Sequence, residues 1–71
     1  MAQLKKKFGK RLQLLRNKNG ITQEELANQT GLSIETVSNI ERGINGTKFD
    51  VLEQFAEIFK VEVKELFEFD E

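Results

Sequence analysis

Leu4, Phe8, Leu12 and Leu15 recur at intervals of three and four residues along the first segment of the chain. That spacing places them on one face and predicts an amphipathic helix ending near the stretch NKNG, where Gly20 can take the left-handed conformation that closes a helix. Thr22 followed by Glu25 predicts a capping box at the start of a second helix, with Ile21 and Leu26 in the staple positions on either side. Gly31 ends that helix and Ser33 caps a third, Leu32 and Val37 repeat the staple, and Gly43 closes the third helix after Arg42. Thr47 with Asp50 predicts another N-cap, ahead of an apolar stripe of Leu52, Phe55, Ala56 and Phe59. A short last helix is expected over Val63 to Phe67. No segment shows sustained two-residue alternation and no proline interrupts the chain, so residues 1–71 read as one all-α domain of five helices.

Composition narrows the chemistry. Seventy-one residues lie near the lower limit for a self-sufficient core. With neither cysteine nor histidine, the chain has no disulfide or thiolate site, and no metal-ligand or nucleophile spacing is visible; no catalytic residue, metal or cofactor is expected. The absence of cysteine fits a reducing compartment, and no apolar run approaches the roughly 20 residues of a membrane span. The expectation is a soluble cytoplasmic protein that is not an enzyme, without room for a separate ligand-sensing domain.

The formal charge of −1 conceals a strong division along the chain. Residues 1–18 carry seven cations and no acid, whereas residues 50–71 carry eight acids against Lys60 and Lys64. A near-neutral protein so divided can still present one electropositive face.

Counting from Gln23, the fifth residue is Ala27 and the ninth is Gly31, while Leu26, Leu32, Val37 and Ile40 fill the fourth, tenth, fifteenth and eighteenth places. A small residue is needed where two steeply crossed helices approach most closely, and glycine supplies the positive φ of an abrupt turn. This pattern resembles the helix-turn-helix of the Cro and phage-repressor (Xre) family. FGKRLQLLRNKNGITQEELA is similar to that family's first two helices, VSNIERG to the end of its recognition helix, and VLEQFAEIFKVEVKELF to its last two. The resemblance implies a compact five-helix, lambda-repressor-like domain that lays its third helix in the DNA major groove.

Carried over position by position, the resemblance implies that Thr22 and Gln23 hold a phosphate at the start of the second helix, and that Arg42, Asn45 and Lys48 contact the DNA backbone after the third. Ser33, Ile34, Glu35, Thr36, Ser38 and Asn39 make up the groove-facing side. Ile34 and Glu35 depart from the amides often found at their places; the first can offer an apolar contact to a thymine methyl and the second can accept from cytosine N4, while Asn39 is the candidate for a directional bond to a base. The family pattern also places an internal ion pair at Arg11 and Glu41.

The function implied is a sequence-specific transcriptional regulator, a repressor acting as a homodimer on two-fold double-stranded DNA. A competing reading is an antitoxin-like protein-interaction module whose acidic, aromatic end, VKELFEFDE, holds a protein partner. Against it stands the plainer reading that Phe67 completes the core and Phe69 frays.

Overall fold

Hydroxyl caps set where the chain turns. In the computed structural model, which describes residues 3–69, α1 spans Leu4–Lys18, α2 Gln23–Thr30, α3 Ile34–Glu41 and α4 Phe49–Phe59, and a 3-10 helix over Val63–Phe67 completes the fold. Thr22 Oγ1 accepts from the Glu25 N–H at 3.0 Å while the Glu25 carboxylate accepts from the Thr22 N–H at 2.8 Å. Ser33 Oγ accepts from the Thr36 N–H at 3.0 Å. Each bond satisfies a donor that the first helical turn leaves without an intrahelical partner.

Two expected boundaries change. Thr47 does not cap α4: its hydroxyl donates to the Lys48 carbonyl at 3.2 Å, and Lys48 occupies the N-cap position without a side-chain cap bond. The fifth α-helix is instead a 3-10 turn of five residues, so the described residues form four α-helices. Arg11 Nε donates to the Glu65 carbonyl at 2.9 Å, and Leu66 is fully buried. A segment this short, pinned from α1 and anchored by one side chain, has little use for a longer i→i+4 ladder.

All four α-helices end alike. Gly20, Gly31, Gly43 and Lys60 have φ of 68°, 75°, 79° and 59°. The N–H that follows each reaches back five residues, from Ile21 to the Arg16 carbonyl, Leu32 to Ala27, Ile44 to Asn39 and Val61 to Ala56, at 2.9–3.0 Å. This is the Schellman closure, in which the next residue usually folds its side chain onto the helix. Ile21, Leu32 and Val61 do pack against the core, whereas Ile44 stays half exposed at 51%.

Phe8, Leu12 and Leu15 of α1 enter a core with Leu26, Val37, Ile40, Phe55 and Leu66. Leu4, the first residue of α1, remains exposed. Ala27 is buried on α2, which packs closely on α3. The ring of Phe67 lies 5.2 Å from that of Phe8, and Phe69 stands edge-on to Phe67 at 6.3 Å. Both aromatics of the acidic end are therefore engaged within the chain. Among the described residues no helix is long and apolar enough to cross a membrane.

A residue that the periodicity does not single out decides how α1 meets α3. Gly9 lies mid-helix and is buried, and a Cβ there would stand 2.4 Å from the Glu41 carbonyl oxygen and 2.5 Å from that of Ile40. The end of α3 rests on bare α1 backbone. At an open helical site Gly→Ala stabilises by about 1 kcal/mol, whereas overpacking costs about 1–3 kcal/mol. Gly9→Ala is thus expected to lower the melting temperature; an unchanged or higher value would mean that the two helices do not meet there. Lys60→Gly should do the opposite, gaining up to about 1 kcal/mol by relieving a left-handed side-chain-bearing residue, as read by thermal unfolding.

Candidate nucleic-acid interface

The carboxylate of Glu41, at the last position of α3, is almost completely buried, with 4% of its side chain exposed. Arg16 Nε donates to Oε2 at 2.6 Å and Nη2 to Oε1 at 3.1 Å, a bidentate pair. Gln23 Nε2 adds a third bond to Oε1 at 2.9 Å, and Arg16 Nη1 donates to the Ile21 carbonyl at 2.9 Å. One network therefore joins α1, the turn after it, α2 and α3. No buried side-chain polar atom lacks a partner among the described residues. Complete satisfaction matters, because an incompletely paired buried charge costs several kcal/mol.

Glu41 is part of an internal ion pair, but its partner is Arg16 and not Arg11. The two arginines are five positions apart, roughly 140° around the helix, so only one can face the end of α3. Arg11 faces the 3-10 helix instead. In the sequence Arg16 reads as one more cation in the last turn of α1, where it complements the helix dipole.

On α3, Val37, Ile40 and Glu41 face inward. Glu35, Ser38 and Asn39, spaced three and four apart, form the opposite stripe. Glu35, Ser33 and Ile34 are exposed; Thr36, Ser38 and Asn39 are half-buried. The hydroxyls of Ser33 and Thr36 are 2.9 Å apart and bond each other, so they are partly committed within the cap.

The remaining predicted residues gather at the two ends of α3. Thr22, Gln23 and Ile34 line one shallow depression of about 590 Å³ beside the start of α2. There the Thr22 N–H is taken by Glu25, and the Gln23 side chain spends one N–H on Glu41, leaving its second free to donate. At the other end, the Ile44 and Asn45 N–H groups both bond the Asn39 carbonyl, at 2.9 and 3.3 Å, folding the loop after α3 onto its last turn. Arg42, Asn45 and Lys48 project from that loop and are exposed. An eight-residue helix is about 12 Å long, so polar and cationic groups bracket a short outward stripe.

Residues 12–66 match the model of the HTH_3 family, described as helix-turn-helix. The chain belongs to the HTH_3 family. As a member it is a DNA-binding regulatory domain. A protein named as an uncharacterized HTH-type transcriptional regulator of Archaeoglobus fulgidus is 34% identical over 61 residues, which cover 86% of this chain and 87% of that one. The crystal structure of the restriction-modification controller protein C.AhdI from Aeromonas hydrophila superposes on this HTH_3 domain with a TM-score of 0.84 and 37% identity, over 94% of this chain and 100% of the other. The clp gene regulator ClgR of Corynebacterium glutamicum gives 0.84 at 25% identity, over 89% and 67%.

The Glu41 network makes a sharp prediction for this HTH_3 domain. Arg16→Met and Glu41→Leu should each destabilise by about 3–5 kcal/mol, and the double variant by much less than their sum, because it removes both charges and retains apolar volume. A double-mutant cycle of thermal or urea unfolding checks it; strict additivity would dissolve the network. Arg11→Met combined with Glu41→Leu should be additive.

Proposed function

We propose that this HTH_3 protein is a sequence-specific transcriptional repressor, binding a two-fold operator as a homodimer with α3 in the major groove. The observation that carries the reading is the outward stripe of Glu35, Ser38 and Asn39 on a helix whose two ends are bracketed by phosphate-binding chemistry. Asn39 pairs with two edge atoms of adenine, Glu35 accepts from cytosine N4 and Ile34 meets a thymine methyl. Ser33, Thr36 and Ser38 supply adaptable hydroxyls along the same face. Thr22 and Gln23 hold one phosphate at the α2 N-terminus, and Arg42, Asn45 and Lys48 hold others beyond α3. Lys48 leaves the N–H groups at the start of α4 without a side-chain cap, which favours an anion there as well. One α3 reads only a few base pairs; a two-fold partner places a second about one DNA turn away. Repression is then steric, by occupation of the operator.

The likeness to a controller protein over its whole length supports a regulatory role. The alternative of a partner-binding acidic end loses its motive, since the rings of Phe67 and Phe69 pack against the chain's own aromatics.

Selection from random duplexes should enrich an inverted repeat. On the selected duplex, Arg42→Ala should weaken specific and random binding by a similar factor and lower the salt slope by about one unit. Asn39→Ala should cost roughly 1–3 kcal/mol of preference at one position of each half-site and leave the slope unchanged. No enrichment by the parent protein, or loss of base preference in Arg42→Ala alone, would sink the assignment.

A further inference from the structure

The first turn of α1 carries Lys5, Lys6 and Lys7 and no acidic residue of its own. Cations at this end work against the helix, whose leading N–H groups already bear positive partial charge. Their surroundings show what the arrangement serves. A Cβ on Gly43 would lie 2.7 Å from Lys6 Cγ and 2.9 Å from Lys6 Cα, and one on Gly46 would lie 3.9 Å from Lys5 Cε. The loop that leaves α3 is therefore seated directly on the start of α1. Lys5 and Lys6 join Arg42 and Lys48, which flank that loop, in one exposed cluster drawn from two elements. None of the four has an ion-pair partner among the described residues, where the pairs are Arg16 with Glu41 and Lys64 with Glu62. Glu41, next to Arg42 in sequence, is taken up by Arg16 and Gln23, and Asp50 stands two residues after Lys48 in the first turn of α4.

We infer that Lys5 and Lys6 are DNA-backbone contacts that complete a phosphate clamp with Arg42 and Lys48 at the C-terminal end of α3. The inference rests on the DNA-binding reading above and deepens it, extending the interface from the helix-turn-helix to α1. Seating the loop on α1 fixes four cations with respect to the reading stripe, so the contact adds affinity for the DNA backbone without reading bases. The glycine at position 43 is required twice, for its positive φ and for the absence of a Cβ against Lys6. Of the acidic segment, Glu68 lines a groove with Lys6, Lys7 and Lys10 and Asp50 follows Lys48, but neither makes an ion pair with Lys5, Lys6, Arg42 or Lys48 among the described residues.

The test is the salt dependence of binding by the full chain carrying Lys5→Gln and Lys6→Gln together, on a selected duplex and a random one. A control carries Lys60→Gln and Lys64→Gln, which make the same change of net charge elsewhere. Losing two phosphate contacts should lower the slope of log K against log salt by about 1.8 on both duplexes, leaving the ratio of specific to random affinity unchanged. The control should move it far less. Thermal unfolding without DNA should show the Lys5/Lys6 variant no less stable than the parent, because the removed charges opposed the helix dipole. A parent that binds the selected duplex while the variant keeps the parental slope overturns the clamp and leaves the DNA reading standing. An equal drop in slope from the control also overturns it, showing only a net-charge effect. A parent that binds no DNA removes the underlying reading itself.

Discussion

The fold turns on a single buried carboxylate. Glu41 receives both an arginine fork and an amide, and through them three helices are held at one point. The same residue's backbone carbonyl presses on α1 where Gly9 has no side chain. These contacts are mutually dependent: the fork from Arg16 reaches Glu41 only if α1 lies close, and α1 lies close only at a glycine. An isolated eight-residue helix is unstable in water. The orientation of α3 is consequently a property of this junction and of Val37 and Ile40, not of the helix's own propensity.

The repeated Schellman closures divide the chain into short rods with sharp reversals. Three of the four return an apolar side chain to the core, and each also satisfies carbonyls that would otherwise face a crowded interior. The exception, at Ile44, follows α3. Its loop is held instead by backbone bonds to Asn39 and by its seat on Lys5 and Lys6. The polar end of the molecule is thus assembled with little apolar burial.

Much of this was legible in the sequence because it is local. A capping box, a serine cap and glycines of positive φ act over three to five residues, and their spacing alone identifies them at Thr22, Ser33 and Gly31. Tertiary partners are less legible. Arg11 and Arg16 are both cations on a basic helix, and choosing between them needs the angle at which α3 arrives. Gly9 left a fainter signal: glycine inside a good helix is unfavourable by about 1 kcal/mol relative to alanine and so points to close packing. Thr47 was misleading for a different reason, since a threonine followed three residues later by an acid suits a cap only if the chain turns there. The 3-10 geometry of the final turn depends on Arg11 and Leu66, neither of which acts through local periodicity. The identity of the bases that Ile34, Glu35 and Asn39 would meet is a property of a complex rather than of this fold.

The bare patch of backbone at Gly9 has a consequence for descent. Because α3 is aimed by its inner face and by a missing methyl group on α1, its outer residues carry almost none of the structural burden. Ile34, Glu35, Ser38 and Asn39 can be exchanged while the axis of the helix stays where it is. A lineage built on this junction can therefore change the outward chemistry of α3 one side chain at a time without passing through an unfolded ancestor.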